Sequence, residues 1–241
     1  MKHLRMLTLS MLLVGAAVGT TKAQTLDEVV SKYITAMGGE AKLKALNSQI
    51  AEGSMSIQGM DFPLKVINLN KKAMRIEFEA MGTKNVQVIT EKGGWMFLPV
   101  QQQTAPVDSD PADLADSQRD LDLTGELVDY KAKGHTAELI GKETIEGKEL
   151  YKIKLTRKDA SISNYFVDPA TWYVAKRTSM KSIQGQEIEI VENFSDFKKS
   201  AGGYVYPAMT EQLPMGMKIS YTKVETNPAI DEKTFEKPTA Q

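Results

Sequence analysis

Residues Thr136 to Phe197 read TAELIGKETIEGKELYKIKLTRKDASISNYFVDPATWYVAKRTSMKSIQGQEIEIVENFSDF. Apolar and polar residues alternate there in short runs. Each run stops at a turn signal: Glu146-Gly147-Lys148, Lys158-Asp159-Ala160, Asp168-Pro169-Ala170-Thr171 or Gln184-Gly185-Gln186. A period of two sends successive side chains to opposite faces of a strand. Runs of this kind joined by tight turns predict an antiparallel meander with one buried and one wet face.

The same pattern extends in both directions. Toward the N-terminus, Ser48 to Ile57 and Phe62 to Asn68 predict two strands joined across Gln58-Gly59. In Ala73 to Glu79 the residues Met74, Ile76 and Phe78 take one face, and Arg75, Glu77 and Glu79 the other. Met81-Gly82 turns into Asn85 to Thr90, and Lys92-Gly93-Gly94 leads into Trp95 to Leu98. Toward the C-terminus, Tyr204 to Gln212 and Met217 to Val224 add two more, ahead of a closing stretch with Ile230, Phe235 and Pro238. The total is roughly eleven or twelve strands. Open twisted sheets seldom exceed about ten strands without curling or splitting. A mainly β protein, with one curved antiparallel sheet and short helices on its concave face, is the expected architecture.

The helical signals lie at two places. Thr25-Leu26-Asp27-Glu28 matches a capping box, and Leu26, Val29, Val30, Tyr33, Ile34 and Met37 recur at helical spacing before Gly38-Gly39. Glu40 to Leu46 allows a second short helix. Between Pro99 and Gly134 the strand pattern breaks. A polar linker, Gln101 to Pro106, leads to Asp110-Pro111, a cap with a first-turn proline. The helix after it carries a thin apolar stripe of Leu114, Ala115 and Leu121, and Thr124 to Lys133 offers another helix with Leu127, Val128 and Tyr130. A weakly apolar cover of this kind, fixed or movable, would lie between the two halves of the sheet.

The 241 residues are 41% hydrophobic and 25% charged, enough for one sizeable core. The basic start Lys2, His3, Arg5, the apolar run Met6 to Val18 and the residues Thr21-Lys22-Ala23 predict a signal peptide over 1–23. Residues 24–241 are then expected to form a single domain, soluble in the periplasm. Removing Lys2, Arg5 and Lys22 leaves 27 basic against 31 acidic residues, a formal charge of −4. That balance lacks the basic footprint of a nucleic-acid binder. There is no cysteine, hence no lipid-anchoring cysteine and no disulfide.

Motifs for catalysis are missing as well. His135 is the one histidine after the signal segment, too little for a zinc site or a Ser–His–acid triad. No G-x-S-x-G, G-x-G-x-x-G or P-loop motif occurs, so neither an enzyme nor a cofactor is expected. Acidic pairs for glycoside hydrolysis stay open as a minor alternative, since Asp and Glu are many.

Methionine stands out. Of thirteen, ten follow the signal segment. Flexible and polarisable, methionine suits irregular cores and sites that accept varied apolar ligands. The candidates for an acyl-chain cavity are Met55, Ile57, Met74, Ile76, Phe78, Val86, Val88, Trp95 and Phe97, with Met217, Ile219 and Tyr221 from the far end of the sheet. Burial of an acyl chain gains about 0.8 kcal/mol per CH₂, so shape and apolar area hold a lipid without a polar motif.

Several short motifs, in order, resemble one family. They are Ile34-Thr35-Ala36-Met37-Gly38-Gly39, Lys42-Leu43-Lys44-Ala45-Leu46, Gly93-Gly94-Trp95-Met96, Leu127-Val128-Asp129-Tyr130, Leu139-Ile140-Gly141-Lys142-Glu143, Gly147 with Tyr151, Asp168-Pro169-Ala170-Thr171 and Phe235-Glu236-Lys237-Pro238. Together they resemble the outer-membrane lipoprotein-sorting-like proteins of Bacteroidota, with the LolA/LppX-like fold. The resemblance implies an incomplete antiparallel β-barrel whose apolar cavity holds lipid or lipoprotein acyl chains. It implies a lid, placed here at Asp110 to Lys133 with Leu114, Leu121, Leu127 and Tyr130. It also implies a lid-holding arginine. Arg119 is on the lid itself, and Arg75 is on the outward face of a strand. The same fold serves in envelope sensors and interaction modules that contact envelope membrane proteins, which is the alternative to a carrier.

Overall fold

The computed structural model describes residues 24–183 and 186–238. The expected signal peptide at 1–23, and most of the turn expected at Gln184-Gly185-Gln186, lie outside these residues. Helix α1, Leu26–Ala36, starts with the predicted box. The Glu28 amide donates to Thr25 Oγ1 (3.3 Å), and the Thr25 amide to Glu28 Oε2 (2.9 Å). Its Val29 and Val30 are buried. Helix α2, Glu40–Lys44, follows and buries Leu43.

Six strands come next: β1 (Ser48–Ile57), β2 (Met60–Leu69), β3 (Ala73–Ala80), β4 (Thr83–Thr90), β5 (Gly93–Phe97) and β6 (Val107–Asp108). Helix α3, Pro111–Arg119, precedes seven more: β7 (Thr136–Ile145), β8 (Lys148–Thr156), β9 (Ile162–Val167), β10 (Val174–Ile183), β11 (Gln186–Lys199), β12 (Val205–Leu213) and β13 (Met217–Thr226). All form one antiparallel sheet of thirteen strands in the order β6-β5-β4-β3-β2-β1-β13-β12-β11-β10-β9-β8-β7. The sheet is curved and open, an incomplete barrel. The additional strand is β6, directly after the expected linker Gln101 to Pro106, where Val107 pairs with Met96 and Asp108 with Trp95.

Two local meanders, β1–β6 and β7–β13, meet where β1 pairs with β13. The two free edges, β6 and β7, are consecutive in the chain. Residues 109–135 therefore run from one edge to the other. They hold α3 but no second helix: 124–134 is a series of turns. Gly125 and Asp129 have φ of 76° and 52°, values no α-helix accommodates.

The sheet is covered on both faces. On the concave side α1, Leu127 and Tyr130 pack on Ile153, Leu155, Tyr165 and Val167. On the convex side Val86, Val88 and Trp95 form a cluster with Ile67 and Ala73, capped by Ile230 and Phe235. Trp95 Nε1 donates to the Phe235 carbonyl (3.0 Å), and Arg75 Nη1 to that of Thr234 (3.0 Å).

The β1–β13 seam carries a register shift at Glu52/Gly53. A Cβ on Gly53 would lie 1.9 Å from the Ser220 carbonyl oxygen and 2.8 Å from Tyr221 Cα. Both are backbone, so the seam itself would have to move. Gly53→Ala is expected to cost about 1–3 kcal/mol in urea denaturation. Gly93→Ala, where a Cβ meets nothing within 4 Å, is expected to leave the midpoint unchanged or raise it.

Candidate functional site

The concave face of β1–β4 and β13 is built by cross-strand pairing. Leu64 lies opposite Phe78, Val66 opposite Ile76, and Asn68 opposite Met74. Met55 pairs with Ile219 across the seam. Side chains at paired positions share a face, so these apolar residues form one wall. Between this wall and residues 117–126 of the crossing lies a cavity of about 590 Å³. A smaller one of about 170 Å³ lies beneath α1 at Tyr33 and Met37. The two share Leu123, Gly125, Glu126, Arg177, Phe194 and Tyr204.

Of the twelve expected cavity residues, Met55, Met74, Ile76, Phe78, Met217, Ile219 and Tyr221 line the large cavity. Ile57 does not; it ends β1 at the turn, opposite Met60 and Met217. Val86, Val88, Trp95 and Phe97 lie on the convex face instead. Their register partners there are Arg75 and Glu77, and the closing segment covers them. The other parity of β4 faces inward, with Gln87 and Ile89 lining the cavity. Arg75 likewise serves the convex face, bonding Glu77 (2.6 Å) beside Trp95.

The expected lid residues divide. Leu114 and Leu121 are buried on Ile89, against Met74 and Ile76. Gly94 admits Leu114, since a Cβ there would sit 2.9 Å from Leu114 Cδ2. Leu127 lines the small cavity, and Tyr130 belongs to the core under α1. Backbone bonds fix the crossing further. The Lys71 amide donates to the Leu121 carbonyl (2.8 Å), and the Leu123 amide to Asn70 Oδ1 (3.0 Å).

Opposite the apolar wall is a charged one that the strand pattern did not reveal. Arg177 on β10 faces Glu192 on β11, with Nε donating to Oε2 at 2.5 Å, and its Nη2 forms an ion pair with Asp120 Oδ1 at 3.7 Å. Their direct pairing across β10 and β11 was the available signal. Behind it, Arg157 holds both carboxylate oxygens of Glu126 and donates to Ser163 Oγ (2.7 Å). Tyr165 donates to Glu126 Oε2 (2.5 Å). Asp122 binds Lys133 at 2.7 Å. Burial pushes the Glu126 carboxyl up, but the hydrogen bonds from Arg157 and Tyr165 prevail and hold it below its usual range. Burial raises the hydroxyls of Tyr33 and Tyr221 to about 12.

These carboxylates are engaged by cations. An acid catalyst needs the reverse, a carboxyl raised in pKa. Among the described residues no three His, Asp or Glu side chains converge to hold a metal ion. His135 sits where the crossing enters β7, its amide bonded to the Tyr130 carbonyl. Among the described residues, one fully buried polar side-chain atom on the cavity wall has no partner: Asn68 Oδ1, on a residue only 7% exposed.

No family model matches the chain, and no curated protein matches its sequence. Solved structures do match. A LolA superfamily protein from Nitrosomonas europaea superposes with a TM-score of 0.57 at 14% identity, over 89% of this chain and 99% of that one. An outer membrane lipoprotein-sorting protein domain, so described as putative, from Vibrio parahaemolyticus gives 0.56 at 10% identity, covering 86% and 94%. A DUF1329 family protein from Desulfovibrio piger gives 0.58 at 16%, covering 89% and 98%. The fold is thus similar to the LolA superfamily.

Two outcomes follow from the site. Glu126 lies below its ordinary value of 4.5, so the unfolded chain binds more protons as pH falls through that region. The stability this group contributes is complete above 4.5 and is lost below it. Tyr33 and Tyr221 act at the other extreme: their contribution is complete below pH 10 and is lost as pH climbs through about 12. Urea midpoints across pH should fall at both ends, and Glu126→Gln should flatten the acid limb while costing about 3–5 kcal/mol near neutrality. Asn68→Leu, which replaces an unpaired buried amide with an apolar side chain of similar size, should hold or raise the midpoint.

Proposed function

We propose that this chain is an envelope carrier-type protein. It is exported, 24–241 act as a single domain outside the cytoplasm, and one acyl chain of a lipid or lipoprotein is held between the concave sheet and the crossing. The observation that carries this reading is the cavity of about 590 Å³ with its wall of Met55, Leu64, Val66, Met74, Ile76 and Phe78. Its size lies within the range of small-molecule sites, about 300–1,000 Å³. The charged groups on the opposite wall are paired, Glu126 with Arg157, Asp122 with Lys133 and Arg177 with Glu192, so a hydrocarbon ligand does not strand them. The similarity in fold to a lipoprotein-sorting domain supports the same reading. No helix among the described residues is long and apolar enough to cross a membrane.

Titration of the mature protein with a dansyl-labelled fatty acid tests the proposal. Saturable uptake near one per chain, displaced by unlabelled lipid, is expected. Ile76→Asp places a charge in the apolar wall, and Ile76→Trp fills the space. Each should weaken uptake by about tenfold or more, since losing two buried methylenes already costs about 1.6 kcal/mol. A folded wild-type protein that takes up no probe would refute the assignment.

A further inference from the structure

The two ends of the half-barrel expose different residues. Strand registers bring the β1–β2, β3–β4 and β12–β13 turns to one end. Ile57 pairs with both Met60 and Met217, and Leu64 pairs with Phe78 near the β3–β4 turn. The outer parts of β10–β12 reach the same end, since Val191 pairs with Leu213 and with Thr178. This end holds Met81 (87% exposed), Met60 (53%) and Met215 (47%), with Met180, Leu213 and Ile162 also exposed. At the opposite end the turns contain Lys71-Lys72, Glu91-Lys92, Glu146-Gly147 and Ala201-Gly202. Among the described residues no large exposed apolar side chain lies in those turns.

The exposed methionines are continuous with the cavity. Met217, which lines it, follows Gly216 directly after Met215. Phe78 and Met55, also lining residues, lie just before the β3–β4 and β1–β2 turns. Apolar residues thus follow along the strands from the cavity wall to the tips. Charges near the tips are of both signs: Asp61, Glu79 and Glu187 stand beside Lys84, Lys181 and Lys218.

We propose that this end seats on the surface of a lipid bilayer, with the methionine tips entering the boundary between headgroups and acyl chains. The inference rests on the acyl-chain reading of the cavity and names where that cargo enters and leaves. Exposed apolar groups clustered on a soluble protein mark an interaction site. These lie on separate hairpin tips around the cavity rather than on one flat patch. A bilayer conforms to such a rim, and flexible methionines adapt to it. Mixed charge means that attachment draws on apolar insertion, not on attraction to anionic lipid.

Flotation of the mature protein with vesicles of pure phosphatidylcholine tests this. Binding is expected, and raising salt from about 0.05 to 0.5 M should not reduce it, because salt screens charge and not apolar insertion. The triple variant Met60→Ser, Met81→Ser, Met215→Ser should bind about tenfold or more weakly while taking up the dansyl fatty acid from solution as wild type does. A wild-type protein that does not bind these vesicles overturns the proposal. So does binding that requires anionic lipid and vanishes in salt, or a triple variant that binds undiminished. A wild-type dimer in sedimentation velocity that the triple variant abolishes would assign the tips to a second copy of the chain instead. Loss of fatty-acid uptake in the wild type is a separate failure, that of the cavity reading.

Discussion

The two free edges of the sheet are neighbours in the chain. Strand β6 ends at Asp108 and β7 begins at Thr136, yet they stand at opposite ends of the thirteen-stranded order. In a curved sheet the short way between the edges is across the concave side, and residues 109–135 take it. That constraint makes a cover unavoidable, and side chains then decide how firmly it sits. Leu114 and Leu121 are buried on Ile89, and Leu127 and Val128 are almost wholly enclosed. The crossing is therefore part of the core as well as a wall of the cavity.

The polar residues it carries are accommodated by pairing. An isolated buried charge is costly, and a buried pair is tolerated when hydrogen bonds satisfy what remains. Glu126 meets this condition with Arg157 and Tyr165, and Arg177 with Glu192. Each pair links the crossing or β11 to the strands of the C-terminal half. The N-terminal strands, with β13 across the seam, supply the apolar wall, so the cavity has two chemically distinct sides.

Much of this was legible in the chain. Alternation from Thr136 to Phe197 located β7–β11, and Met74, Ile76 and Phe78 were assigned a common face that the structure keeps. Strand β4 misled because both of its parities hold apolar residues. Val86 and Val88 looked inward-facing, yet Ile89 and the polar Gln87 occupy that side. The convex face near Trp95 is dry only because Ile230 and Phe235, far along the chain, cover it. A local pattern does not report a distant cover. The turns at 124–134 were mistaken for a helix for a related reason. Glu126 is drawn to Arg157 at the end of β8, and Gly125 and Asp129 adopt left-handed backbone angles there.

The central seam bears on how the chain reaches its final form. Thr222 Oγ1 bonds the Glu52 carbonyl across 170 positions of sequence. Every other strand pairing joins consecutive strands, so each half has a route to assembly from local hairpins. The joint between β1 and β13 must wait for the last strand to be made. Contacts of such separation slow folding relative to local ones. Until β13 docks, β1 and β12 each present an unpaired edge, the kind of surface that templates aggregation. The chain is thus a late closer, and a holdase that shields strand edges would have its greatest effect on it in the interval before the seam forms.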